Sequence, residues 1–583
     1  MARRLVTACV SATALFLPAV ATAQGTELWP GVTFEQTIQL TPSGAVVVDV
    51  LKGPRPGGPT TLRPILTSGT LTQRETLTAA ERRLAPTMTL AGVNGDFFNF
   101  NSGLPSGVLL QDGQLLSEPS PDRSSAAITS DGTLAVGRVS LSATWQGSGS
   151  PHAVTAFERT PGPTGLGLFT SAWGPMTPAL RGSVAAVIFP FPSTAPGVPL
   201  QATVQEFVAE PSVPIPFGGA VLVARGNAAV QLRAEAPVGS SVTVQLALAP
   251  SWAGVVAAIG GGPQIVRDGA PVFRAGEAFL SSQLEKQDPR SAIGQLADGS
   301  IILVAVDGRQ PGWSVGLTNF QLAQTLVRLG AVTGVAFDSG GSTTMAFDGS
   351  LLNRPSDGAE RRISTALAFA YTGVFLPEPS PVVSPNGDGV NDVQTLHYKV
   401  VSPSSVSIAL TAPDGSPAYS QALAAQAPGI YPIAFPPTGA AAGQLPAQGR
   451  WKLAVTAIDD LGQQTTMARE FTVDDSIGFL TVSPPRLFLP PGGRDLTISW
   501  KMGAPARVVA TVETKDGLVV RTLAVGKFPV GDKSVVWNGL DRTGKRVKGG
   551  VYRAHLVARS SFGTVELVKT FTVRQIVGPP KGS

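Results

Sequence analysis

Cysteine and histidine are nearly absent from this sequence. Its 583 residues contain one cysteine, Cys9, so the chain beyond it can form no disulfide and offers no thiol nucleophile. The histidines are His152, His397 and His555, and the first alone precedes residue 376. A Ser-His-Asp triad or a histidine-rich zinc site is therefore not expected before residue 376.

Charge and long apolar runs are also scarce. Charged residues make up 14% of the chain, and no lysine or arginine cluster alternates with aromatic residues, so we expect no nucleic-acid partner. Beyond the N-terminal stretch, no segment approaches the ~20 uninterrupted apolar residues of a membrane-spanning helix. Hydrophobic residues nevertheless reach 43%, which excludes a disordered protein, and the length predicts about three or four domains.

The N-terminus has the pattern of a secretory signal. Arg3 and Arg4 precede the apolar run Leu5 to Val20 and the small residues Ala21 to Ala23. We therefore predict a signal peptide at residues 1–23 and a secreted, periplasmic or cell-surface protein with no transmembrane segment in the mature chain. Removing the two arginines lowers the formal net charge from +5 to +3, which is nearly neutral for a chain of this length.

The segment from residue 301 to residue 344 reads as strand, helix and strand. Ile301–Val306 and Val332–Phe337 are uninterrupted apolar runs, as in strands buried on both faces. Between them, Thr318 with Gln321 forms a capping-box pattern, and Gly330 is a C-terminal stop. The sequence therefore predicts two strands joined by one capped helix.

An aspartate follows each of these strands. If the strands are parallel, Asp307 and Asp338 emerge at the same edge of the sheet, where ligands of open α/β sheets bind. Either acid alone could be an ordinary turn residue. The pair together, with Arg309 and the polar segment 339–343 beside it, favours a binding or catalytic site.

Two other motifs are candidates with equally open alternatives. Asn94 and Asp96 precede the adjacent aromatics Phe97 and Phe98, a combination that fits either an irregular hairpin or a sugar site. Arg290 could bind an anion, since guanidinium can take phosphate oxygens in pairs, or could form a surface ion pair.

The C-terminal part begins after a proline-rich linker and contains an internal repeat of roughly one hundred residues. Its alternating, turn-rich pattern predicts two β-sandwiches, at residues 377–475 and 476–583. Segment 384–392 at the start of the first sandwich carries hard oxygen ligands at close spacing. They could bind calcium or form a plain turn, and they are Asn386, Asp388, Asn391 and Asp392.

Taken together, the motifs before residue 376 resemble the phosphodiester glycosidase family over roughly residues 30 to 375. The motifs that carry the resemblance are NGDFF (94–98), GGGP (260–263), DPRSAIG (288–294), VDGR (306–309), DSGGSTT (338–344) and NRPSDGAERRIST (353–365). One position departs from the family pattern: Ser339 replaces the first of three glycines, and serine tolerates positive φ less well than glycine. The last sandwich resembles the immunoglobulin-like module of flagellar hook-cap proteins. Segment 384–392 resembles a motif that opens C-terminal modules of exported bacterial proteins.

The resemblance implies an α+β fold, with a mixed-sheet catalytic domain at 24–376 built on the strand-helix-strand core, followed by the two all-β immunoglobulin-like sandwiches. It also implies hydrolysis of a sugar 1-phosphodiester, such as an N-acetylglucosamine 1-phosphodiester in a glycan or cell-envelope polymer. A phosphomonoester leaves readily, so the site must mainly stabilise an oxocarbenium-like centre and hold an anion. No cofactor is required for this reaction.

The residues assigned to the site divide into acids and ligands. The expected catalytic carboxyl groups are those of Asp338, Asp307 and Asp96. Either Asp338 or Asp307 could be the nucleophile or the base. The arginines would receive the phosphate, and Asn94 and Asp96 would hold sugar hydroxyls. The substrate-binding set comprises Asn94, Arg290, Arg309, Gly340, Gly341, Ser342, Thr343 and Arg361.

Two other functions compete with this interpretation. The first is a catalytically inactive cell-surface protein that binds polysaccharide, which Ser339 alone favours. The second is a phosphodiesterase with paired metals, which the lack of a His/Asp metal cluster disfavours.

Overall fold

The computed structural model describes residues 25–273, 275–435, 446–489 and 495–575. The predicted signal peptide at 1–23 lies outside these residues. Among the residues described, no helix has the length and apolar character needed to cross a membrane.

Strands dominate the described residues. The helices are α1 (Leu77–Leu84), α2 (Asn227–Glu235), α3 (Ser281–Glu285) and α4 (Asn319–Arg328), and a 3-10 turn covers Gly340–Ser342. The strands before residue 250 are β1 (Thr26–Trp29), β2 (Val32–Thr41), β3 (Gly44–Gly53), β4 (Thr60–Leu66), β5 (Thr89–Asn94), β6 (Leu109–Gln111), β7 (Gln114–Ser117), β8 (Ser125–Thr129), β9 (Leu134–Gly137), β10 (Ser140–Gln146), β11 (His152–Ala153), β12 (Ala156–Phe157), β13 (Leu166–Thr170), β14 (Val184–Phe189), β15 (Pro199–Val208), β16 (Ala220–Ala224) and β17 (Ser241–Ala249). Those from 250 to 376 are β18 (Val255–Gly260), β19 (Gln264–Arg267), β20 (Ala270–Pro271), β21 (Arg290–Leu296), β22 (Ile301–Val306), β23 (Ala331–Ala336), β24 (Met345–Phe347), β25 (Ser350–Leu351) and β26 (Thr365–Tyr371).

The strands after residue 376 belong to the C-terminal part. They are β27 (Val382–Val383), β28 (Leu396–Val400), β29 (Ser404–Thr411), β30 (Pro417–Gln426), β31 (Gly429–Ile433), β32 (Gly449–Asp459), β33 (Gln464–Val473), β34 (Ile477–Ser483), β35 (Arg486–Leu489), β36 (Leu496–Met502), β37 (Ala506–Thr514), β38 (Val519–Phe528), β39 (Gly531–Trp537), β40 (Gly550–Arg559) and β41 (Thr564–Gln575).

The chain groups into two compact units. The first comprises residues 1–56, 63–78 and 91–368, and the second comprises residues 57–62, 79–90 and 369–583. The domain ranges predicted from the sequence, 24–376, 377–475 and 476–583, stay predictions.

In the first unit, an eight-stranded sheet holds the predicted strand-helix-strand segment. Its strand order is β1-β2-β3-β22-β21-β23-β19-β20. Both β22 and β23 pair antiparallel with β21, so they run parallel to each other on its two sides. Arg290 at the start of β21 pairs with Val306 at the end of β22. Asp307 and Asp338, which follow β22 and β23, therefore lie at the same edge, as predicted.

Helix α4 packs on this sheet through an apolar face. Leu322, Ala323 and Leu326 share a buried cluster with Val304 and Val306 of β22. The predicted capping box is present, because the Thr318 hydroxyl accepts from the backbone N–H of Gln321 while the Gln321 side chain accepts from the backbone N–H of Thr318. The local prediction for this segment is confirmed.

The α+β fold class is nevertheless wrong, because the structure is nearly all β, with 51% strand and 7% helix. In a parallel α/β sheet, β22 and β23 would be neighbours. Here β21 lies between them, and neighbouring strands pair antiparallel throughout the pairings resolved in this sheet. The helix is thus one crossover within an antiparallel β architecture, so a single capped helix does not make the fold α+β.

Two further sheets of the first unit complete its core. An eight-stranded sheet has the order β11-β10-β17-β15-β14-β16-β13-β12, and a five-stranded sheet has the order β7-β6-β18-β8-β9. Buried aromatic and aliphatic residues from both, including Trp145, Phe157 and Leu110, form one cluster. In the smaller sheet, Gly260 at the end of β18 pairs with Ser125 at the start of β8.

In the second unit, the described strands from β27 onward group into sheets that fit the predicted immunoglobulin-like β domains. The first combines the sheet β27-β33-β32-β29-β30 with the pair β28-β31. The second combines β34-β36-β39 with β35-β41-β40-β37-β38 and buries Trp500, Trp537 and Phe571 between them.

Candidate functional site

Strand ends from three sheets bring the candidate residues together. Strand β5 ends at Asn94, and its residue Val93 pairs with Met345 of β24. The backbone N–H of Gly95 donates to Thr365 O at 2.8 Å, and the backbone N–H of Asp338 donates to Gly95 O at 3.0 Å. The turn after β5 is therefore fixed against the turn after β23.

Asp96 is a buried carboxyl with one unsatisfied oxygen. Its side chain is 2% exposed. Its Oδ2 accepts from the backbone N–H of Gly107 at 2.6 Å. Its Oδ1 has no hydrogen-bond partner among the described residues. A Cβ at Gly260 would overlap Oδ2, so glycine is required there for the carboxyl to fit.

Burial raises the pKa of Asp96 to about 7. The hydrogen bond from Gly107 and the positive charge of Arg123 lower this pKa, whereas the charge of Asp338 raises it. Burial therefore favours the protonated form of Asp96, in which the unpartnered Oδ1 can donate a hydrogen bond or a proton.

Asp338 is the second carboxyl of the site. Its Oδ1 accepts from the backbone N–H of Ser339 at 2.8 Å. Burial raises the pKa of Asp338 to about 6, against the opposing effects of a hydrogen bond with Ser342 and the charges of Arg361 and Arg123. The hydrogen bonds from Ser339 and Ser342 and the charge of Arg361 favour the ionised form of Asp338.

Asn94 connects the two turns internally. Its Nδ2 donates to Asp338 O at 2.8 Å, and its Oδ1 accepts from the Ser291 hydroxyl at 2.5 Å and from the backbone N–H of Thr344 at 3.1 Å. With 1% of its surface exposed, this amide positions the Asp338 backbone.

Arg123 was not predicted from the sequence, yet its charge acts on both carboxyls. Its guanidinium carbon lies 5.1 Å from the ring centroid of Phe97 and 4.5 Å from that of Phe279. It lies in the loop before β8, and the two rings that it contacts, Phe97 and Phe279, are distant from it in sequence. No local pattern marks it, although Phe97 belongs to a motif that was singled out.

The turn after Asp338 accommodates Ser339 without strain. Ser339 has φ −121° and ψ −178°, which is extended backbone. The left-handed residue is Gly340, with φ +68°. The departure from the family pattern therefore falls at a position that does not require glycine.

Arg361 lies against Gly341 of the same turn. Its Nη2 donates to Asp357 Oδ2 at 2.5 Å, and its Nη1 lies 3.4 Å from the Ser342 hydroxyl. A Cβ at Gly341 would overlap both the guanidinium and the Asp357 carboxylate. Ser342 and Thr343 are buried in this turn. Thr343 Oγ1 has no hydrogen-bond partner in the described part of the chain.

Arg309 lies on the other side of the turn. Its Nε donates to Asp288 Oδ1 at 2.8 Å, and its side chain is 39% exposed. A Cβ at Gly340 would lie 2.8 Å from its Nη2. Among the residues that the structure describes, neither Nη1 nor Nη2 has a hydrogen-bond partner, so both remain available to an anion.

The structure places Asp307 and Arg290 in internal networks. Asp307 is 1% exposed and accepts from Trp313 Nε1 at 2.7 Å, Asn353 Nδ2 at 3.1 Å and the backbone N–H of Arg354 at 3.1 Å. Burial raises its pKa. This network holds the segment around residue 353 against the end of β22.

Arg290 donates to three backbone carbonyls. Its Nε donates to Leu317 O at 2.8 Å, its Nη1 to Gln283 O at 2.7 Å and its Nη2 to Lys286 O at 2.6 Å. Its guanidinium therefore fastens α3 and the residues before α4, and burial lowers its pKa to about 10.

Arg159 supports the loop that holds Asp96. Its Nη2 donates to Pro105 O at 2.8 Å and to Ser106 O at 3.2 Å, and its Nε pairs with Glu118 Oε1 at 2.7 Å. The next residue, Gly107, donates to Asp96.

An open cavity of about 730 Å³ adjoins the Arg123 segment. Ser124, Gln264 and Glu277 line it, whereas neither Asp96 nor Asp338 does. Glu277 accepts from the backbone N–H of Ser124 at 2.7 Å and from that of Gln264 at 2.8 Å, so its carboxylate is used in fixing this wall.

No group of three or more His, Cys, Asp or Glu suited to a metal occurs in the described ranges. In segment 384–392, Asp392 accepts from the backbone N–H groups of Gly387 and Gly389, and Asp388 accepts from those of Val390 and Phe479. Asn386 Oδ1 accepts from the backbone N–H of Asp388, and Ser384 N donates to Asn391 O. Calcium binding here stays a prediction.

Residues 200–370 match the model of the phosphodiester glycosidase family, and residues 492–561 match that of the FlgD Ig-like domain. Over 107 residues the chain is 33% identical to the SPbeta prophage-derived uncharacterized protein YomE of Bacillus subtilis strain 168, covering 18% of this chain and 16% of that protein. Over 77 residues it is 35% identical to the basal-body rod modification protein FlgD of Salmonella typhimurium, covering 13% and 33%.

Among solved structures, the catalytic domain of zebrafish N-acetylglucosamine-1-phosphodiester alpha-N-acetylglucosaminidase, auto-inhibited by its pro-peptide, aligns with 15% identity and a TM-score of 0.32. The alignment covers 60% of this chain and 84% of that one. The matches to the two curated relatives cover less than two thirds of either protein.

The two resemblances seen in the sequence are therefore confirmed over these ranges. Residues 200–370 are similar to the phosphodiester glycosidase family, a family of glycosidase-type hydrolases, and residues 492–561 are similar to the FlgD Ig-like domain. Asp338, Arg309 and Arg361 lie within the first matched range, whereas Asp96 and Arg123 precede it.

Proposed function

We propose that the first unit hydrolyses the glycosidic bond of a sugar 1-phosphodiester and releases the sugar and a phosphomonoester. The observation that carries this proposal is the unpartnered, buried Oδ1 of Asp96, next to a second carboxyl, Asp338, with the charge of Arg123 acting on both. The match of residues 200–370 to the phosphodiester glycosidase family supports the same reaction class.

The two carboxyls have different tasks in this reaction. Asp338 accepts from the backbone N–H of Ser339 and from Ser342, which favours its ionised form, so in this proposal it is the carboxylate that accepts the proton of the attacking water. Asp96, whose buried Oδ1 has no partner among the described residues, donates its proton to the oxygen of the departing phosphate. The C1–O bond breaks, the hydroxyl of water joins C1, and the phosphomonoester leaves.

The cations of the site hold the phosphate. Arg123 is the main candidate, because its charge already acts on both carboxyls. Arg309 contributes its free Nη1 and Nη2, and Arg361 borders the turn at Gly341. Arg290 and Asp307 do not contact substrate in this proposal, because their polar atoms are engaged within the protein.

The substrate is a phosphodiester-linked carbohydrate, and we propose an N-acetylglucosamine 1-phosphodiester within a glycan or cell-envelope polymer. The signal peptide predicted at residues 1–23 supports a substrate outside the cytoplasm. Hydrolysis of this bond requires no cofactor.

Product analysis tests the proposal. The full chain is incubated with a methyl phosphodiester of N-acetylglucosamine 1-phosphate, and the products are separated by chromatography. We expect free sugar and methyl phosphate, with turnover abolished in Asp96→Asn and retained in the control Asp298→Asn, which changes an exposed carboxylate. Sugar 1-phosphate as product would indicate a phosphodiesterase. Binding without turnover would indicate the polysaccharide-binding alternative.

A further inference from the structure

Three cations lie side by side on the last sandwich. Arg507 of β37 pairs directly with Lys527 of β38 on one side and with Arg559 of β40 on the other. Residues directly opposite each other in an antiparallel pair place their side chains on the same face of the sheet. The three form one row, called here the cation row, across three adjacent strands.

The cation row has no counter-charge. All three side chains are exposed, and none makes an ion pair or a side-chain hydrogen bond within the described residues. Like charges directly opposite each other destabilise a sheet. The fold therefore contains an unfavourable arrangement that an anionic ligand would relieve.

Carboxylates on this face of the sheet lie against two other basic residues. Arg553 Nε lies 2.8 Å from Glu513 Oε2, and His555 Nδ1 lies 2.8 Å from Glu513 Oε1. Glu566 of β41, opposite Val557 of β40, lies 3.3 Å from His555 Nε2. Both carboxylates are thus within ion-pair distance of Arg553 or His555, and among the described residues neither forms an ion pair with the cation row.

The cation row lines a groove of about 540 Å³. Ser560 and Ser561 add hydroxyls to its wall, and none of its lining residues is acidic or aromatic. The nearest carboxylate bonded to this wall is Asp474, which is fully buried and accepts from the Ser560 hydroxyl at 2.7 Å. The Ser560 hydroxyl is therefore used internally, and the groove presents the cation row and the exposed Ser561 hydroxyl to solvent.

We propose that the cation row binds an anionic polysaccharide through its phosphodiester groups. Strands lie about 4.8 Å apart, so the row spans roughly 10 Å, and its two guanidinium groups can each take phosphate oxygens in pairs. Polysaccharide is favoured over single-stranded nucleic acid, because single strands are held largely by stacking on aromatic side chains and the groove has none. The choice of a phosphodiester polymer rests on the proposed function of the first unit.

Binding measurements with a matched control test this proposal. The probe is a polymer of N-acetylglucosamine 1-phosphate, and cleavage is prevented by making every protein in the Asp338→Asn background. The test variant carries Arg507→Gln, Lys527→Gln and Arg559→Gln. The control carries Lys515→Gln, Lys545→Gln and Lys548→Gln, which remove the same charge from exposed positions of the same sandwich.

We expect the test variant to bind the polymer about tenfold more weakly than the chain that carries Asp338→Asn alone. The control variant should bind within about twofold of that chain. The difference should shrink in about 0.5 M salt, because screening weakens exposed charge contacts. The test variant should melt at or above the parent temperature, since like-charge contacts are removed. A chain with the three substitutions in the cation row and with Asp338 intact should hydrolyse the methyl phosphodiester at the rate of the unsubstituted chain.

Three results would overturn the inference. They are equal losses in both triple variants, undiminished binding in the test variant, and a preference for single-stranded DNA over the polymer. The unsubstituted chain could instead fail to hydrolyse the methyl phosphodiester while polymer binding still depends on the cation row. That result would refute the proposed function and leave the cation row as a polysaccharide site.

Discussion

The pKa values of Asp96 and Asp338 set the pH range in which the site can work. The reaction needs Asp338 ionised and Asp96 protonated, and burial raises these pKa values to about 6 and about 7. We therefore expect a bell-shaped profile of kcat/KM with its maximum between about pH 6 and 7. Activity falls below that range because Asp338 is protonated, and above it because Asp96 has lost its proton. A flat profile from pH 5 to 8 would contradict the assignment.

Replacement of Asp338 tests the base directly. Asp338→Asn keeps the shape and removes the charge, so kcat should fall by about 10²- to 10⁴-fold while substrate still binds. Steady-state kinetics of the purified variant measure this. A kcat close to the parent value would transfer the role of base to Asp96.

The arginines should affect binding of the anion more than the chemistry. Arg123→Ala and Arg309→Ala should raise KM for the phosphodiester more than for an uncharged aryl glycoside, since uniform anion binding appears in KM. Arg123→Ala should have the larger effect, because Arg123 alone acts on both carboxyls. An equal defect on both substrates would remove these residues from the phosphate site.

The sequence identified part of this site and missed the rest for a physical reason. Asp338 stands out because it directly follows an apolar run, and Asp96 because it belongs to a cluster of asparagine, glycine and aspartate beside two aromatic residues. The same pattern selected Asp307, whose carboxylate accepts from Trp313 and Asn353 and is used internally. Solvent access and partner identity depend on tertiary contacts, which also explains why Arg123 was missed.

At the scale of elements, helix α4 and its two strands could be predicted because capping and apolar runs are local. The position of β21 between those two strands could not be predicted. Residues 290–296 are separated from 331–336 by the helix, yet the two pair antiparallel. Because this pairing was not predicted, the predicted fold class was α+β, whereas the structure is nearly all β.

Glu158, which follows β12, should make stability depend on pH. It is 1% exposed, its Oε1 accepts from the Thr170 hydroxyl and backbone N–H, and burial raises its pKa from 4.5 to about 8. A folded-state pKa above the unfolded value gives stability that is present below about pH 4.5 and is lost as pH rises through 8.

The melting temperature should therefore fall between pH 5 and 8. Glu158→Gln, which keeps the shape and cannot ionise, should fall less steeply. Part of the slope should remain, because burial also raises the pKa of Asp49 to about 7. Calorimetry at several pH values measures this, with Glu206→Gln as an exposed control. Parallel slopes for Glu158→Gln and parent would refute the role of Glu158.

At the scale of the whole molecule, the calcium prediction for segment 384–392 can be tested on the full chain. If calcium binds Asp388 and Asp392, excess chelator should lower the melting temperature of the transition that contains this segment. Asp392→Asn should remove the response to calcium. An identical melt with calcium and with chelator would show that the backbone N–H groups already satisfy these carboxylates as a turn.

The packing of Arg123 against Phe97 and Phe279 has a consequence for how strongly an anion can be held. A free arginine loses rotamer freedom when it closes on a phosphate, at a cost of about 0.5–1.5 kcal/mol. Here the two rings already restrict the guanidinium before any ligand arrives. Part of the affinity for phosphate therefore depends on two phenylalanines that need not contact it. Replacing either ring by a smaller side chain should weaken substrate binding while leaving every charge in place.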